Sequence, residues 1–228
     1  MKNKFKVLLI CRHQDKFSLM IYKILKKNFK FVTIFYSKKY NEKITKKIRN
    51  WKGDYIFSFR SLLILPNSII KNAKIAAINF HPGPPEYRGV GCLNYALYND
   101  ESNYGVTAHL IKKEIDYGEI IKTKIFKISP ASNLEKVLEL THKKLYLLTK
   151  EIILKIKDDY NFIDNCIGKN KYKWSKIIKT KSQLDKFYNI NKNITKKKLN
   201  KKLRATITKK FKPYIEIHNK KFYYSDEK

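Results

Sequence analysis

An amide, an imidazole and a carboxylate lie where one reaction could use all three. The apolar run Ile75–Ile78 ends in Asn79 and His81, and Pro82, Gly83, Pro84 and Pro85 come at once after them. Alternate residues of a strand share a face, so Asn79 and His81 point the same way just where the strand stops. The prolines and the glycine exclude helix and sheet and hold the loop to a few shapes. Two polar side chains are thereby presented at the carboxyl edge of an open sheet, where α/β proteins bind ligands. Asp116, in a short turn with Gly118, supplies the carboxylate. Such a set suits chemistry at a carbonyl carbon, in which charge builds on oxygen and protons move. Taken singly, each residue also has a plainer reading: N-x-H at a strand end as a satisfied polar turn, and Asp116 as an ordinary turn residue.

The surrounding pattern is that of alternating strands and helices. Phe5 to Cys11 has the continuous apolar character of a buried parallel strand. Leu19, Ile21, Tyr22, Ile24 and Leu25 fall at helical spacing, with Asp15 or Ser18 available as cap. A strand over Phe31–Tyr36, a helix over Tyr40–Arg49 and a strand over Tyr55–Phe59 complete the first half of a doubly wound, mostly parallel sheet. The turn after the first strand, CRHQDKFS, has no glycine, which argues against a dinucleotide-binding Rossmann fingerprint. Downstream, the spacing predicts a helix over Gly91–Asn99 and strands over Tyr104–Leu110 and Glu119–Ile128, with Asp116 between the two strands. A long amphipathic helix is expected next, over Leu134–Ile156. Beyond about Asp158 the chain becomes polar and lysine-rich, with short helices expected, one of them over Thr195–Lys202. The stretch RATITKKFKPYIEIHNKKFYY alternates as strands do, with a hairpin turn at His218–Lys220. Residues 1–158 are therefore expected to form a catalytic domain, and 159–228 a small extension ending in a β-hairpin.

Length and composition fit one α/β domain with an appendage. The 228 residues are 43% hydrophobic and 14% aromatic, enough for a proper core. A formal net charge of +32 invites a nucleic-acid or anionic-membrane reading. The excess is nearly all lysine, however; Arg12, Arg49, Arg60, Arg88 and Arg204 are the only arginines. Readers of bases and phosphates favour the bidentate guanidinium. Lysines spread along the whole chain read as solvated surface with a modest electrostatic benefit for an anionic substrate. Cys11, Cys92 and Cys166 are odd in number and widely spaced, so neither a disulfide framework nor a zinc site is indicated. The apolar run Val7–Cys11 is too short for a signal peptide, and no stretch has the length of a membrane span; the expected location is the cytoplasm.

The string N-x-H-P-G-P-P-E-Y-R-G from Asn79, then G-V-T-A-H from Gly105, then D-Y-G-E-I from Asp116 resembles the formyltransferases that use 10-formyltetrahydrofolate as donor. Within that family the HPGPPEY wording is most similar to enzymes that formylate amino sugars on nucleotide carriers, of the dTDP- or GDP-4-amino-4,6-dideoxyhexose type. The likeness is close over Asp54 to Ile128 and thin elsewhere. It implies the formyltransferase fold and a direct attack of a sugar amine on the formyl carbon, through a tetrahedral intermediate, with no metal. By the same resemblance His81 and Asn79 would support the oxygen, and Asp116 would orient His81 and accept the amine's proton. Leu63, Ile64 and Leu65, at the end of FSFRSLLILP, match the loop that holds the pterin; by residue type alone they read equally as core. Arg60 is a candidate for a substrate diphosphate, and an ion pair would explain it as well. Tyr87 is a candidate for the sugar pocket. The partner implied is a nucleotide-linked amino sugar; a homodimer stays open, and nucleic acid and membrane are not expected. Two rivals are kept. A methionyl-tRNA formyltransferase would suit the basicity, but needs a carboxy-terminal β-barrel for which the residues after Asp158 look too few and too irregular. A basic nucleic-acid-binding protein on an idle formyltransferase fold is the other.

Overall fold

The computed structural model of the chain describes residues 2–40 and 42–225. Its centre is a six-stranded sheet in the order β2-β1-β3-β4-β6-β7. The parallel part comprises β1 (Asn3–Arg12), β2 (Phe29–Ser37), β3 (Gly53–Phe59) and β4 (Ala73–His81). These strands carry the continuous apolar runs expected of a sheet covered on both faces; Val7 to Cys11 are fully buried. After β4 the direction reverses. A two-residue strand β5 (Arg88–Gly89) and helix α4 (Cys92–Tyr98) lead to β6 (Asn103–Leu110), antiparallel to β4, and β7 (Ile120–Lys127) pairs antiparallel with β6.

One face of the sheet is covered by α1 (Lys16–Asn28) and α5 (Leu134–Asp158). Phe17, Ile21 and Leu25 of α1 and Leu145, Leu148, Ile152 and Ile156 of α5 meet Leu9, Phe57 and Phe80 from the strands. The spacing of three and four places each apolar set on one stripe of its helix. Asp15 caps α1, its side chain accepting from the Ser18 backbone N–H at 2.8 Å. The other face is covered more thinly, by the single-turn helices α2 (Lys46–Arg49) and α3 (Asn67–Ile70) with Trp51. Here the helix expected over Tyr40–Arg49 is corrected: among the described residues of that stretch only Lys46–Arg49 is helical. Between Tyr40 and Arg49 only Ile44 and Ile48 are aliphatic, too little apolar surface to hold a longer helix against the sheet, and the Glu42 side chain accepts from the Lys38 backbone N–H instead.

The remainder of the chain wraps round the β4–β6 end. Helix α6 (Phe162–Cys166) is succeeded by an irregular stretch to β8 (Ile178–Lys179), which pairs parallel with β5. Helices α7 (Lys181–Tyr188) and α8 (Lys196–Thr206) come next; Ala205 of α8 joins Leu93, Ala96 and Leu97 of α4 in a third apolar cluster. The chain ends in the hairpin β9 (Tyr214–Ile217) and β10 (Lys220–Tyr223), turned by His218 and Asn219, both at positive φ as a two-residue hairpin turn requires.

Candidate active site

The register of β4 against β6 sets Asn79 directly opposite His109, and His81 opposite Thr107. Asn79 and His81 lie on one face because they are two apart, and the same period brings His109 to that face from the neighbouring strand. Asp116 rises to meet them from the loop before β7, its backbone in the left-handed region at φ 46°. The loop can come so close to β6 only because residue 118 is glycine: a Cβ there would overlap the carbonyl oxygen of Leu110.

The carboxylate bridges everything else. Oδ1 of Asp116 accepts from the Asn79 amide at 3.3 Å and lies 3.4 Å from Nε2 of His109. Its Oδ2 lies 3.3 Å from Nδ1 of His81 and accepts from the Gly89 backbone N–H at 3.1 Å. Nε2 of His81 donates to the Tyr87 carbonyl at 2.9 Å. Nε2 also lies 3.7 Å from Cys92 Sγ, whose S–H is given to the Gly89 carbonyl, so both ring nitrogens of His81 face acceptors, which calls for the doubly protonated imidazolium. Burial works against that charge, yet the Asp116 carboxylate, with Cys92 and the Tyr87 carbonyl, outweighs it and raises the His81 pKa to about 9. Burial likewise works against ionised Asp116; His81 and His109 together hold its carboxyl well below the usual carboxylate range. His109 donates from Nδ1 to the Leu110 carbonyl at 2.8 Å, which leaves Nε2 facing the Asn79 amide at 3.1 Å.

These four residues line one wall of a cavity of about 790 Å³. The loop after β3 forms another. Leu63 and Leu65 bury their side chains in the core with Leu8, Ile56 and Ile69, while Ile64 is 63% exposed. The backbone of Ile64 and Leu65 makes no hydrogen bond within the described residues, so a polar edge is offered beside an apolar side chain. Arg60 reaches the same cavity, but its guanidinium is ion-paired with Asp15. Tyr87 is placed differently: its hydroxyl donates to Glu101 at 2.8 Å and accepts from Asn99, and its side chain does not line the cavity. The lining also has an aromatic and cationic part, Tyr188, Phe211, Tyr214 and Tyr223 with Lys181 and Lys221.

Sequence reasoning brought together Asn79, His81 and Asp116, and the structure joins them. It did not single out His109, although the G-V-T-A-H string contains it. Its one signal was a polar residue at the end of an apolar strand, and only the pairing with β4 turns that into a position beside Asn79. Trp174 was missed too; its ring stands edge-on to His109, with centroids 4.9 Å apart, and to His81 at 5.9 Å.

With this geometry in hand, comparison with known proteins gives one answer. Residues 4–151 match the formyl transferase family. The bifunctional polymyxin resistance protein ArnA of Wigglesworthia glossinidia brevipalpis is 30% identical over 204 residues, which is 84% of this chain and 31% of that protein. The chain spans about a third of the length of the curated relatives it matches. Among solved structures, a 4-N formyltransferase from Francisella tularensis superposes with a TM-score of 0.76 at 19% identity, covering 97% of each chain. The N-formyltransferase from Helicobacter canadensis, in complex with folinic acid and dTDP-3-aminofucose, superposes with a TM-score of 0.71 at 21% identity, over 95% of this chain and 85% of that one. At these identities the structural likeness speaks to the fold.

Proposed function

Because the chain belongs to the formyl transferase family, we propose that it moves a formyl group from 10-formyltetrahydrofolate to the amine of a nucleotide-linked amino sugar. The observation that carries this reading is the joining of Asn79, His81, His109 and Asp116 on the wall of a single cavity that is also lined by aromatic and cationic side chains. Flat rings and ammonium groups suit a nucleobase and a diphosphate. A sugar amine set between them would face the polar wall. The unpaired backbone at Ile64 and Leu65 fits the donor and acceptor edge of a pterin, with the Ile64 side chain beside it.

The donor supplies an electrophilic formyl carbon, which the amine attacks without an acyl-enzyme. The tetrahedral intermediate then collapses with cleavage of the formyl C–N10 bond, and the proton shed by the amine ends on N10 of the departing tetrahydrofolate. His81 brings a positive charge and an N–H to the oxygen on which negative charge develops. In the structure its two N–H groups are spent on Asp116 and the Tyr87 carbonyl, so the Nε2–H must turn from that carbonyl to serve. Asn79 offers a second N–H; one donor of this kind is typically worth on the order of 10²–10³ in rate. Asp116 keeps His81 charged. Held so firmly ionised, it is a weak base, and Nε2 of His109, left bare by the Nδ1–H given to the Leu110 carbonyl, is placed beside it to take the proton the amine sheds.

An acceptor screen tests the proposal. The protein and 10-formyltetrahydrofolate are mixed with a panel of dTDP-, GDP- and UDP-linked amino sugars and, in parallel, with charged initiator tRNA. Tetrahydrofolate release and the mass of the acceptor are read together. A formylated sugar is the expected result. Formylated tRNA alone, or release with no acceptor modified, would overturn it.

A further inference from the structure

The loop that carries Asp116 is held from outside by two residues of the carboxy-terminal stretch, Trp174 and Ser175. The indole Nε1–H of Trp174 donates to the Gly118 carbonyl at 2.7 Å. On the amino-terminal side of Asp116 the loop is tied again: buried Arg88 donates from Nη2 to the Ile115 carbonyl and from Nη1 to the Ser175 carbonyl, both at 2.8 Å. The Ser175 backbone N–H donates in turn to the Pro85 carbonyl at 2.9 Å. Just beyond, β8 pairs with β5, and the Val90 N–H donates to the Lys179 carbonyl at 2.8 Å. The strap therefore crosses both the loop after β4 and the loop before β7, and is tied to each.

What it holds is a residue that does not hold itself. A non-glycine residue at φ 46° occupies a sparsely populated conformation that persists only where the surroundings enforce it. The indole ring also stands nearly perpendicular to the rings of His109 and His81, with centroids 4.9 and 5.9 Å away. We propose that Trp174 is a positioning residue for the reaction: its N–H clamps the Gly118 carbonyl so that the Asp116 carboxylate keeps its place between the two imidazoles, and its ring keeps water from them. This rests on the formyl-transfer reading above.

Two substitutions separate the parts. Trp174→Phe keeps a ring and loses the N–H; Trp174→Ala loses both. On the full chain, hydrogen–deuterium exchange of the Leu110 and Gly89 amides, which bond the Glu119 carbonyl and the Asp116 carboxylate, is measured first, since it needs no substrate. Exchange about tenfold faster in Trp174→Phe than in the wild type, with the rest of the protein unchanged, is the expected result. In the acceptor assay Trp174→Phe should lose about tenfold in kcat per folded molecule, as one hydrogen bond's worth of placement, while KM for donor and acceptor stays within twofold. Trp174→Ala should in addition consume more donor than it formylates acceptor. A purely structural role would lower the melting temperature and leave kcat per folded molecule intact. Unchanged exchange, or faster exchange with unchanged kcat in Trp174→Phe, overturns the proposal. If the wild type formylates no acceptor at all, the formyl-transfer reading fails, and the role in the reaction falls with it; the exchange result still reports whether the clamp exists.

Discussion

At the scale of residues, the site is governed by a charge pair that neither partner would keep alone. A buried imidazole prefers to be neutral and a buried carboxyl prefers to be protonated. His81 and Asp116, 3% and 8% exposed, reverse both preferences by lying 3.3 Å apart. The His81 pKa is raised, so the pair's contribution to stability is complete below the ordinary histidine value of about 6.5 and is lost as pH rises through about 9. The Asp116 pKa is lowered, so on the acid side the contribution is present above about 4 and is lost as pH falls through its depressed value. The His81 ring, tracked by NMR, should titrate near pH 9 in the wild type and clearly lower in Asp116→Asn, where only Cys92 and the Tyr87 carbonyl still oppose burial. A titration unmoved by that change would show that something other than Asp116 holds the proton. Turnover in Asp116→Asn and His81→Ala should fall at least about 10³-fold with circular dichroism unchanged. His109→Phe, which fills the same volume but removes Nε2, should cost about 10² in kcat if that nitrogen takes the amine's proton; a loss confined to KM would assign it to binding. Asn79, His81 and Asp116 were legible because two lie in one strand at the right period and the third sits in a marked turn. His109 was not, because its partnership with Asn79 depends on a pairing between strands thirty residues apart.

At the scale of elements, one short segment does two jobs. Asp15 caps α1 through the Ser18 N–H, and the same carboxylate is ion-paired with Arg60 at the end of β3. Burial pushes the Arg60 pKa down, and Asp15 offsets only part of that, so the guanidinium depends on its partner. Asp15→Asn keeps the cap and leaves the charge unpaired, with an expected loss of about 3 kcal/mol in urea unfolding. Asp15→Ala should lose about 1 kcal/mol more, for the cap. Equal losses for the two variants would mean that the cap contributes nothing. The pair also bears on ligand binding, since Arg60 can meet an anion only by sharing it with Asp15. Elements with a long apolar stripe, such as α5, were readable from spacing alone. The helix expected over Tyr40–Arg49 shrank to one turn because basic residues with two isoleucines do not make a stripe. The pairing of β5 with β8 is two residues long and joins segments ninety positions apart, and no local pattern announces it.

At the scale of the whole molecule, the charge and the carboxy-terminal stretch bear on the same cavity. The expected division at residue 158 makes residues 159–228 an appendage. Yet Trp174 packs on the imidazoles of the site, and Tyr188, Phe211, Tyr214 and Tyr223 line the same cavity. Composition alone shows that stretch as lysine-rich and irregular, and the aromatics gain meaning only from where the fold sets them. The cavity itself is lined by seven cationic side chains, Arg12, Arg60, Lys112, Lys113, Lys181, Lys212 and Lys221, against the three carboxylates of Glu114, Asp116 and Asp185. Within a formal charge of +32 this concentration would draw an anionic substrate, such as the proposed nucleotide-linked sugar, inward from beyond contact distance. Long-range attraction of that kind is screened by salt, whereas the buried pair of His81 and Asp116 is not. Raising monovalent salt from about 50 to about 500 mM, where the Debye length falls to about 4 Å, should therefore increase KM for the sugar nucleotide about tenfold and change kcat less than about twofold. A KM that stays flat would make the lysines bystanders to this substrate. If RNA of unrelated sequence then bound with a steep salt dependence and displaced the sugar nucleotide, the basic surface would belong to nucleic acid, and the formyl acceptor would have to be sought there.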